Sequence, residues 1–472
     1  MPKADLVVVS NRGPVSISVD DTGSEQMSRG GGGLVSGMQT ALESVGSAVW
    51  VCAAMSDAER AVAQRAAGQP LAGSDLDVIM LPIDEETFEA AYNGVANQTL
   101  WFTLHMLFDP IRQPLFDAEW RRQWEAYQRF NQAFAEAVDE LAARSAIVMV
   151  QDYHLFLLPA LLRKRRPDLR IGFFTHTPWA PVDYFRILPD DVARDVVAGV
   201  LGADVVGFHT QRWAELFRRC AHALLGDCAD DRIAVFGLTA DAEEMAERRE
   251  AEDVRAAASR LRDVIGDRLV IGRVDRIELS KNVIRGLLAY RELLRDRPQW
   301  RERVVHVVFD NPSREDIPEY VEYAAAVERL AAEIQAEFST PGWTPLLLSV
   351  QEDYPAALAA LTLTDVVLID SVRDGMNLVV FEAILLAEGK PQVVLSRETG
   401  AADLLGDDAI VINPYDVSQT AAALDQALSL VGQPETPATA ARAERLRVAA
   451  AGRPPARWFN DQVERVRLVA QQ

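Results

Sequence analysis

Short runs of apolar residues, many of them β-branched, recur along the chain. Most are followed by a longer stretch in which apolar positions return every three or four residues. The first kind reads as buried parallel strands and the second as helices that cover them. In the first half, strands are predicted at 6–10, 48–53, 78–81, 146–151, 170–175 and 204–208. Helices are predicted at 38–45, 120–144, 155–165, 189–201 and 211–225. The alternation pauses between 227 and 263, where 241–260 is dense in Ala, Glu and Arg and reads as one solvated helix. A second series then gives strands at 269–274, 304–309, 345–350, 365–369, 391–395 and 409–412, with helices between. An amphipathic helix at 455–470 follows a Pro-containing break. Such alternation predicts an α/β fold of two Rossmann-like, doubly wound parallel-sheet domains facing a cleft. The predicted domains are 1–240 and 241–450, with 451–472 packing back on the first.

Composition narrows the function classes. The chain has 472 residues, 49% hydrophobic and 25% charged, which suits two or three globular domains. Its formal net charge of -22 leaves no excess of Lys and Arg to neutralise phosphates, which argues against nucleic acid and anionic membranes as partners. Cations at any phosphate site are then local features. No uncharged apolar stretch reaches the roughly 18 residues that span a bilayer. Met1-Pro2-Lys3-Ala4-Asp5 enters a strand without the apolar core of a signal peptide. Cys52, Cys220 and Cys228 show no metal-ligand spacing. They fit a reducing cytoplasm better than a disulfide framework.

Two clusters in the second half carry candidate chemistry. Arg276-Ile277-Glu278-Leu279-Ser280-Lys281 follows a predicted strand and leads into a helix. Two fixed positive charges over helix N–H groups suit a diphosphate. A solvated pair at a helix start is the plainer explanation. Asp374-Gly375-Met376-Asn377-Leu378 also follows a strand, and the helix it opens carries Glu382, placed to accept hydrogen bonds from ribose hydroxyls. An isolated Asp-Gly is usually a turn. Together the clusters suggest a nucleotide-sugar site with a nucleoside diphosphate as leaving group. In the first half, the glycine loop at 28–37, with Gly32, Gly33 and Leu34, allows close backbone approach to a ligand, although a surface hairpin reads the same way. Asp152 and His176 end two neighbouring strands, where ligands of α/β sheets bind, although a single His after a strand is more often a satisfied core residue. Asp75-Leu76-Asp77 has the Asp-x-Asp form of metal-dependent transferases but reads as a turn before a strand. No G-x-G-x-x-G follows a first strand, which counts against a dinucleotide-binding oxidoreductase.

The same residues resemble a family. Ser10-Asn11-Arg12, the loop 30–34, Tyr92-Asn93 with Trp101, Gln151-Asp152-Tyr153-His154-Leu155 and Phe174-Thr175-His176-Thr177-Pro178 match the trehalose-6-phosphate synthases. So do Arg276 with Lys281, Ser313-Arg314, Arg373-Asp374-Gly375-Met376-Asn377-Leu378, Glu382 and Asn413-Pro414-Tyr415-Asp416, all in family order. The resemblance implies a GT-B glycosyltransferase that moves glucose with retention from UDP- or GDP-glucose to glucose 6-phosphate. It implies Asp152, His176, Arg276 and Lys281 as catalytic residues. Gly32, Gly33, Leu34, His176, Arg276, Lys281, Asp374, Gly375, Met376, Asn377, Leu378 and Glu382 are the implied donor ligands. Arg12, Trp50, Tyr92, Trp101, Asp152 and Arg314 are the implied acceptor ligands, and His154 is assigned to packing behind Asp152. No metal and no cofactor is implied. The partners are a small-molecule nucleotide-sugar and a sugar phosphate, with self-association into a homo-oligomer left open.

Departures point elsewhere. The usual synthase has a Lys directly before the ribose-binding Glu, where this chain has Phe381. Phe381-Glu382-Ala383 is similar to validoxylamine phosphate synthase, a pseudo-glycosyltransferase relative that uses a GDP-linked cyclitol. Trp179 and the run 183–189 lean toward that relative and toward actinobacterial synthases, and Asp370-Ser371 replaces a more usual pair. A specialised-metabolism transferase acting on a cyclitol, aminosugar or nucleoside is therefore the alternative. A non-catalytic sugar-phosphate sensor is disfavoured because Arg276, Lys281, Asp374 and Glu382 are all present.

Overall fold

The computed structural model describes residues 3–20, 23–29, 47–72, 74, 76–226 and 230–469. They divide into two compact units, Met1–Gly237 with Pro455–Gln472, and Leu238–Pro454. The strands are β1 (Ala4–Val9), β2 (Val15–Val19), β3 (Glu25–Arg29), β4 (Ala48–Ala53), β5 (Asp77–Leu81), β6 (Ala142–Gln151), β7 (Arg170–Thr175), β8 (Val205–Phe208) and β9 (Ile233–Val235) in the first unit. The second holds β10 (Leu269–Arg276), β11 (Val304–Asn311), β12 (Leu346–Ser349), β13 (Val366–Ile369), β14 (Gln392–Ser396) and β15 (Ile410–Ile412).

The first unit is built on a parallel sheet of order β5-β4-β1-β6-β7-β8-β9. Leu6, Val7, Val8 and Val9 of β1 are buried on both faces, which is why the run is continuously apolar. The second unit's parallel sheet has the order β12-β11-β10-β13-β14-β15. In each sheet the strand order reverses at one place, between β1 and β6 in the first and between β10 and β13 in the second. The carboxyl ends flanking such a reversal open a crevice that binds ligands. The Ser10–Arg12 turn, Asp152, the turn from Arg276 to Lys281 and the Asp374 turn all leave those four strands.

The helix Ala118–Leu141 shows how periodicity becomes structure. Asp117 caps it by accepting from Trp120 N at 2.9 Å, and Trp120, Trp124, Tyr127, Phe130, Phe134 and Val138 form its buried face. It stops three residues before the predicted 144, because β6 begins at Ala142, which pairs with Ala4. Arg166 takes the freed carbonyls, donating to Ala142 O at 3.4 Å and Ala143 O at 3.0 Å. The single solvated helix predicted at 241–260 is two helices, Ala242–Glu250 and Glu252–Ile265, broken at the extended residue Ala251. It is amphipathic rather than solvated: Met245, Val254, Ala257 and Ala258 are buried in the second unit's core. The hairpin of β2 with β3 is an element that periodicity did not reveal, as is the wide π-type helix Ala90–Leu100. The Pro455–Val469 helix packs on β6, β7 and β8, burying Trp458, Phe459 and Val466. Gly172 on β7 makes room for it, since a Cβ there would lie 2.9 Å from Val466 and 2.8 Å from Met149 Sδ.

Candidate active site

In the first unit, Asp152 leaves β6 with φ 71°, an unusual conformation for a non-glycine residue and one that recurs at functional sites. Its N–H donates to Phe174 O at 2.8 Å, and its Oδ1 accepts from the N–H of His176 at 3.1 Å. The two predicted catalytic residues are thus joined directly. The helix 118–141 buttresses this turn from behind. Tyr127 OH donates to Tyr153 O at 2.7 Å and accepts from Phe156 N at 3.1 Å. Asn131 donates to His154 O at 3.2 Å and accepts from Leu157 N at 3.2 Å.

His176 is half-buried among Phe174, His209 and Trp458, with ring centroids 4.8 to 5.4 Å away. Burial pushes its pKa down to about 4, so it is neutral at ordinary pH. Its Nε2 lies 3.1 Å from Gln151 Oε1, an acceptor. That contact puts the imidazole proton on Nε2 and leaves Nδ1 as an acceptor.

The predicted acceptor aromatics take distinct places. Tyr92 stacks between Phe88 and His154 at centroid distances of 5.2 and 5.6 Å. His154 therefore orders Tyr92 as well as backing the Asp152 turn. Trp101 is buried, stacked on His105 at 3.9 Å and tilted against Tyr153 at 5.4 Å. Trp50 is only 2% exposed. Its indole N–H donates to Ser10 Oγ at 2.7 Å, and that hydroxyl donates to Arg12 O at 2.7 Å. Trp50 thus holds the turn that presents Arg12, which is exposed. Gly32, Gly33 and Leu34 lie outside the described residues.

In the second unit the site is made of ions. Lys281 Nζ donates to Asp374 Oδ2 at 2.5 Å and lies 3.8 Å from Asp275 Oδ1. Burial works against the ammonium charge, but Asp374, Asp275 and Glu278 outweigh it and raise the Lys281 pKa. Two residues predicted to hold different parts of a donor are here each other's partner. Arg276 ends β10, half-exposed, with Nη2 3.2 Å from Glu278 Oε2. Glu278 is fully buried, accepts from Ser280 Oγ at 2.6 Å and has Arg314 Nη1 4.0 Å away. Arg314 also donates to Tyr320 OH. The structure thus groups Arg314 with Arg276 in the second unit, whereas Arg12 and Tyr92 belong to the first.

The Asp374 turn is fixed on several sides. Its N–H donates to Glu398 O at 3.1 Å, its carbonyl accepts from Gly400 N at 3.1 Å, and Met376 O accepts from Ala401 N at 2.9 Å. Asn377, at φ 72°, donates to Asp374 Oδ2 at 3.2 Å and accepts from Val380 N at 3.3 Å. It therefore caps the helix Val379–Leu386 while orienting Asp374, between buried Gly375 and Met376 on one side and half-buried Leu378 on the other. Glu382 is half-buried in that helix's first turn. Burial, and then the nearby Glu244, push its pKa up to about 7. Phe381 is wholly buried in the core.

Sequence reading missed Arg273, Asp275, Asp310 and Glu278. For Arg273, Asp275 and Asp310 the signal was charged residues inside otherwise apolar β10 and β11, where a buried strand should carry none; Glu278 lies in the turn after β10. Glu244 was hidden in the stretch read as solvated.

The family model described as glycosyltransferase family 20 matches residues 4–466. The chain is 32% identical to the bifunctional trehalose-6-phosphate synthase/phosphatase of Thermoproteus tenax over 97% of its own length and 62% of that protein's. It is 33% identical to the UDP-forming α,α-trehalose-phosphate synthase of Schizosaccharomyces pombe, over 90% of this chain and 84% of the other. It thus spans less than two thirds of the Thermoproteus protein, and 46% of a UDP-forming relative from Arabidopsis thaliana. An E. coli structure bound with UDP-2-fluoro glucose superposes with a TM-score of 0.82 at 26% identity, covering 98% of both chains. A match across both parallel-sheet units, with its ions and carboxylates at the strand-order reversals, makes the chain a GT-B protein that belongs to glycosyltransferase family 20.

Proposed function

We propose that the chain is a retaining glucosyltransferase that moves glucose from a nucleotide-glucose to glucose 6-phosphate, giving α,α-trehalose 6-phosphate. The observation that carries this reading is the Lys281–Asp374 pair beside Arg276, a charged centre at the strand-order reversal of the second sheet. A diphosphate can replace Asp374 on Lys281 and engage Arg276. Asp374 is then released toward the donor sugar hydroxyls, and Glu382 faces the ribose. As the bond from C1 to the phosphate oxygen breaks, charge grows on the leaving diphosphate, where two fixed cations stabilise it. The acceptor hydroxyl attacks C1 from the same face, and its proton passes to the departing phosphate oxygen. Asp152 orients the acceptor, and neutral His176 accepts a sugar hydroxyl at Nδ1 without repelling the positive charge that builds on the sugar ring. In the first unit, Arg12 and Tyr92 serve the acceptor phosphate, for which a planar guanidinium suits bidentate binding. We infer that these cations do the work of a metal, so excess chelator leaves turnover unchanged. The setting is the cytoplasm, with Cys52 and Cys220 as buried free thiols. No helix among the described residues is long and apolar enough to cross a membrane.

Phe381 was the main reason to consider a cyclitol donor. Its burial in the core makes it a packing residue, which removes its direct bearing on the donor. The test is nucleoside-diphosphate release from UDP-, GDP- and ADP-glucose, each with glucose 6-phosphate, with the product identified by mass spectrometry. Release with one donor and a disaccharide phosphate supports the proposal and assigns the base. No release with any donor, together with tight nucleoside-diphosphate binding by calorimetry, favours the specialised transferase.

A further inference from the structure

Arg273 stands inside β10, in the run Leu269–Arg276, and is only 1% exposed. Its guanidinium donates to the side chain of Asp370 and to the backbone carbonyl of Lys281, and its Nη2 lies 3.1 Å from Asp275 Oδ2. Asp370 closes β13 and opens the turn that carries Asp374. One buried side chain therefore grips both loops that meet at the Lys281–Asp374 pair. The loops are joined twice more: Val372 N donates to Ser280 O at 2.8 Å, and Asn282 Nδ2 donates to Asp370 O at 2.8 Å.

Nearby backbone and charge serve the same cluster. A Cβ on Gly286 would lie 2.8 Å from Asp370 Oδ2 and 2.9 Å from Arg273 Nη1, so the helix Val283–Asp296 gives up a side chain there to make room. Asp310, opposite Asp275 in the β10–β11 register, is fully buried, and among the described residues neither of its side-chain oxygens has a hydrogen-bond partner. Asp275, Asp310, Asp370 and Asp374 stand around Arg273 and Lys281, with Glu278 also close enough to act on Lys281. A planar guanidinium can hold several of these acceptors in fixed directions, which an ammonium cannot.

We propose that Arg273 is a positioning residue for sugar transfer. It fixes the Lys281 carbonyl relative to Asp370, so that the Lys281 ammonium stays in place when a diphosphate takes it from Asp374. The proposal rests on the donor role given to Lys281 above.

The experiment is a double-mutant cycle on the full chain, with Arg273→Lys, Lys281→Ala and the pair. Arg273→Lys keeps the charge but not the fork. Its kcat is expected to fall roughly 10- to 100-fold, with the KM for glucose 6-phosphate unchanged. In the Lys281→Ala background the same change should have almost no further effect, because residues that act as one unit are not additive. Independent, multiplying losses would overturn the proposal and leave Arg273 a structural ion pair. Asp370→Asn, which keeps an acceptor oxygen, guards against misfolding and should follow Arg273→Lys in both respects. Calorimetric binding of UDP and GDP to the same four proteins separates the two readings. If the parent chain turns over no donor, the donor reading fails, yet Arg273 is still tested by whether its effect on affinity vanishes without Lys281.

Discussion

The Asp152 turn of the first unit and the Lys281 turn of the second occupy equivalent places, each beside the strand-order reversal of a parallel sheet. They are held by opposite means. Neutral donors and acceptors fix the first: Tyr127, Asn131 and the backbone of Phe174 pin the chain, and Gln151 orients His176. Ion pairs fix the second: Arg273 pairs with Asp275 and Asp370, and Lys281 with Asp275 and Asp374. The neutral braces hold the Asp152 turn without a counter-ion that a ligand would have to displace. An ionic network is satisfied only within itself, so an incoming anion must displace a carboxylate. Displacement costs less than stripping water from an unpaired ammonium, because the charge is already desolvated.

The sharpest way to break this comparison is to remove one charge from the second site. Lys281→Ala should lower kcat by about 10³-fold, the upper range for losing one preorganised transition-state charge. It should also release Asp374, so nucleoside-diphosphate affinity falls as well. Near-normal release of nucleoside diphosphate by a folded Lys281→Ala protein would remove the donor role. The matching change in the first unit is Asp152→Asn. Asn tolerates the positive φ and can still accept from His176 N, so the turn survives and only the carboxylate charge is lost. We expect about a 10²-fold fall in kcat at unchanged melting temperature. A fall as large as that of Lys281→Ala would mean that the first site depends on charge as much as the second.

Legibility differs between the two regions for the same reason. Strands such as 170–175 and helices such as 211–225 follow from periodicity, since burial on both faces keeps a strand almost wholly apolar and burial on one face gives a helix its repeat. Arg276, Lys281, Asp374 and Glu382 could be marked because they cluster where a strand gives way to a turn and a helix, the place where ligands of α/β sheets bind. Arg273, Asp275 and Asp310 lie within strands, and their mutual pairing is visible only once β10, β11 and β13 are side by side. Phe381 is next to Glu382 in sequence but is buried in the core, whereas Glu382 is only half-buried. Trp50 was assigned to a ligand, but β4 buries it and spends its N–H on Ser10.

Acid and base should act differently on the two sites. Burial pushes Asp310 and Glu382 up to about 7 and Asp275 up to about 6. The folded second unit then keeps protons that the unfolded chain has released above its usual carboxylate range. Stability from these groups is complete below about pH 4 and is lost as pH rises through 7. His176, pushed down to about 4, has the reverse sign, as does buried His306: their stability is present above about pH 6.5 and is lost as pH falls toward 4. Asp310→Asn removes one proton-holding carboxylate at constant shape. Its melting temperature, relative to the parent, should rise more at pH 8 than at pH 5. An equal shift at both values would show that Asp310 does not hold a proton across that range.

The smallest effect expected is at Trp50, and it tests whether the first site is held by hydrogen bonds at all. Trp50→Phe keeps an aromatic ring against β1 and β5 but removes the donor to Ser10 Oγ. Losing a buried hydrogen bond whose acceptor stays in place costs about 1–2 kcal/mol. Ser10 can still donate to Arg12 O, so the turn should loosen rather than collapse. Arg12 would then be held less firmly while the Asp152–His176 pair is untouched. The expected signature is therefore a higher KM for glucose 6-phosphate, by a factor of about 3 to 10, at nearly constant kcat, with the donor KM unchanged. If kcat falls instead, Trp50 reports on the reacting groups rather than on the phosphate end of the acceptor, and the neutral network of the first unit is a single cooperative unit instead of separable braces.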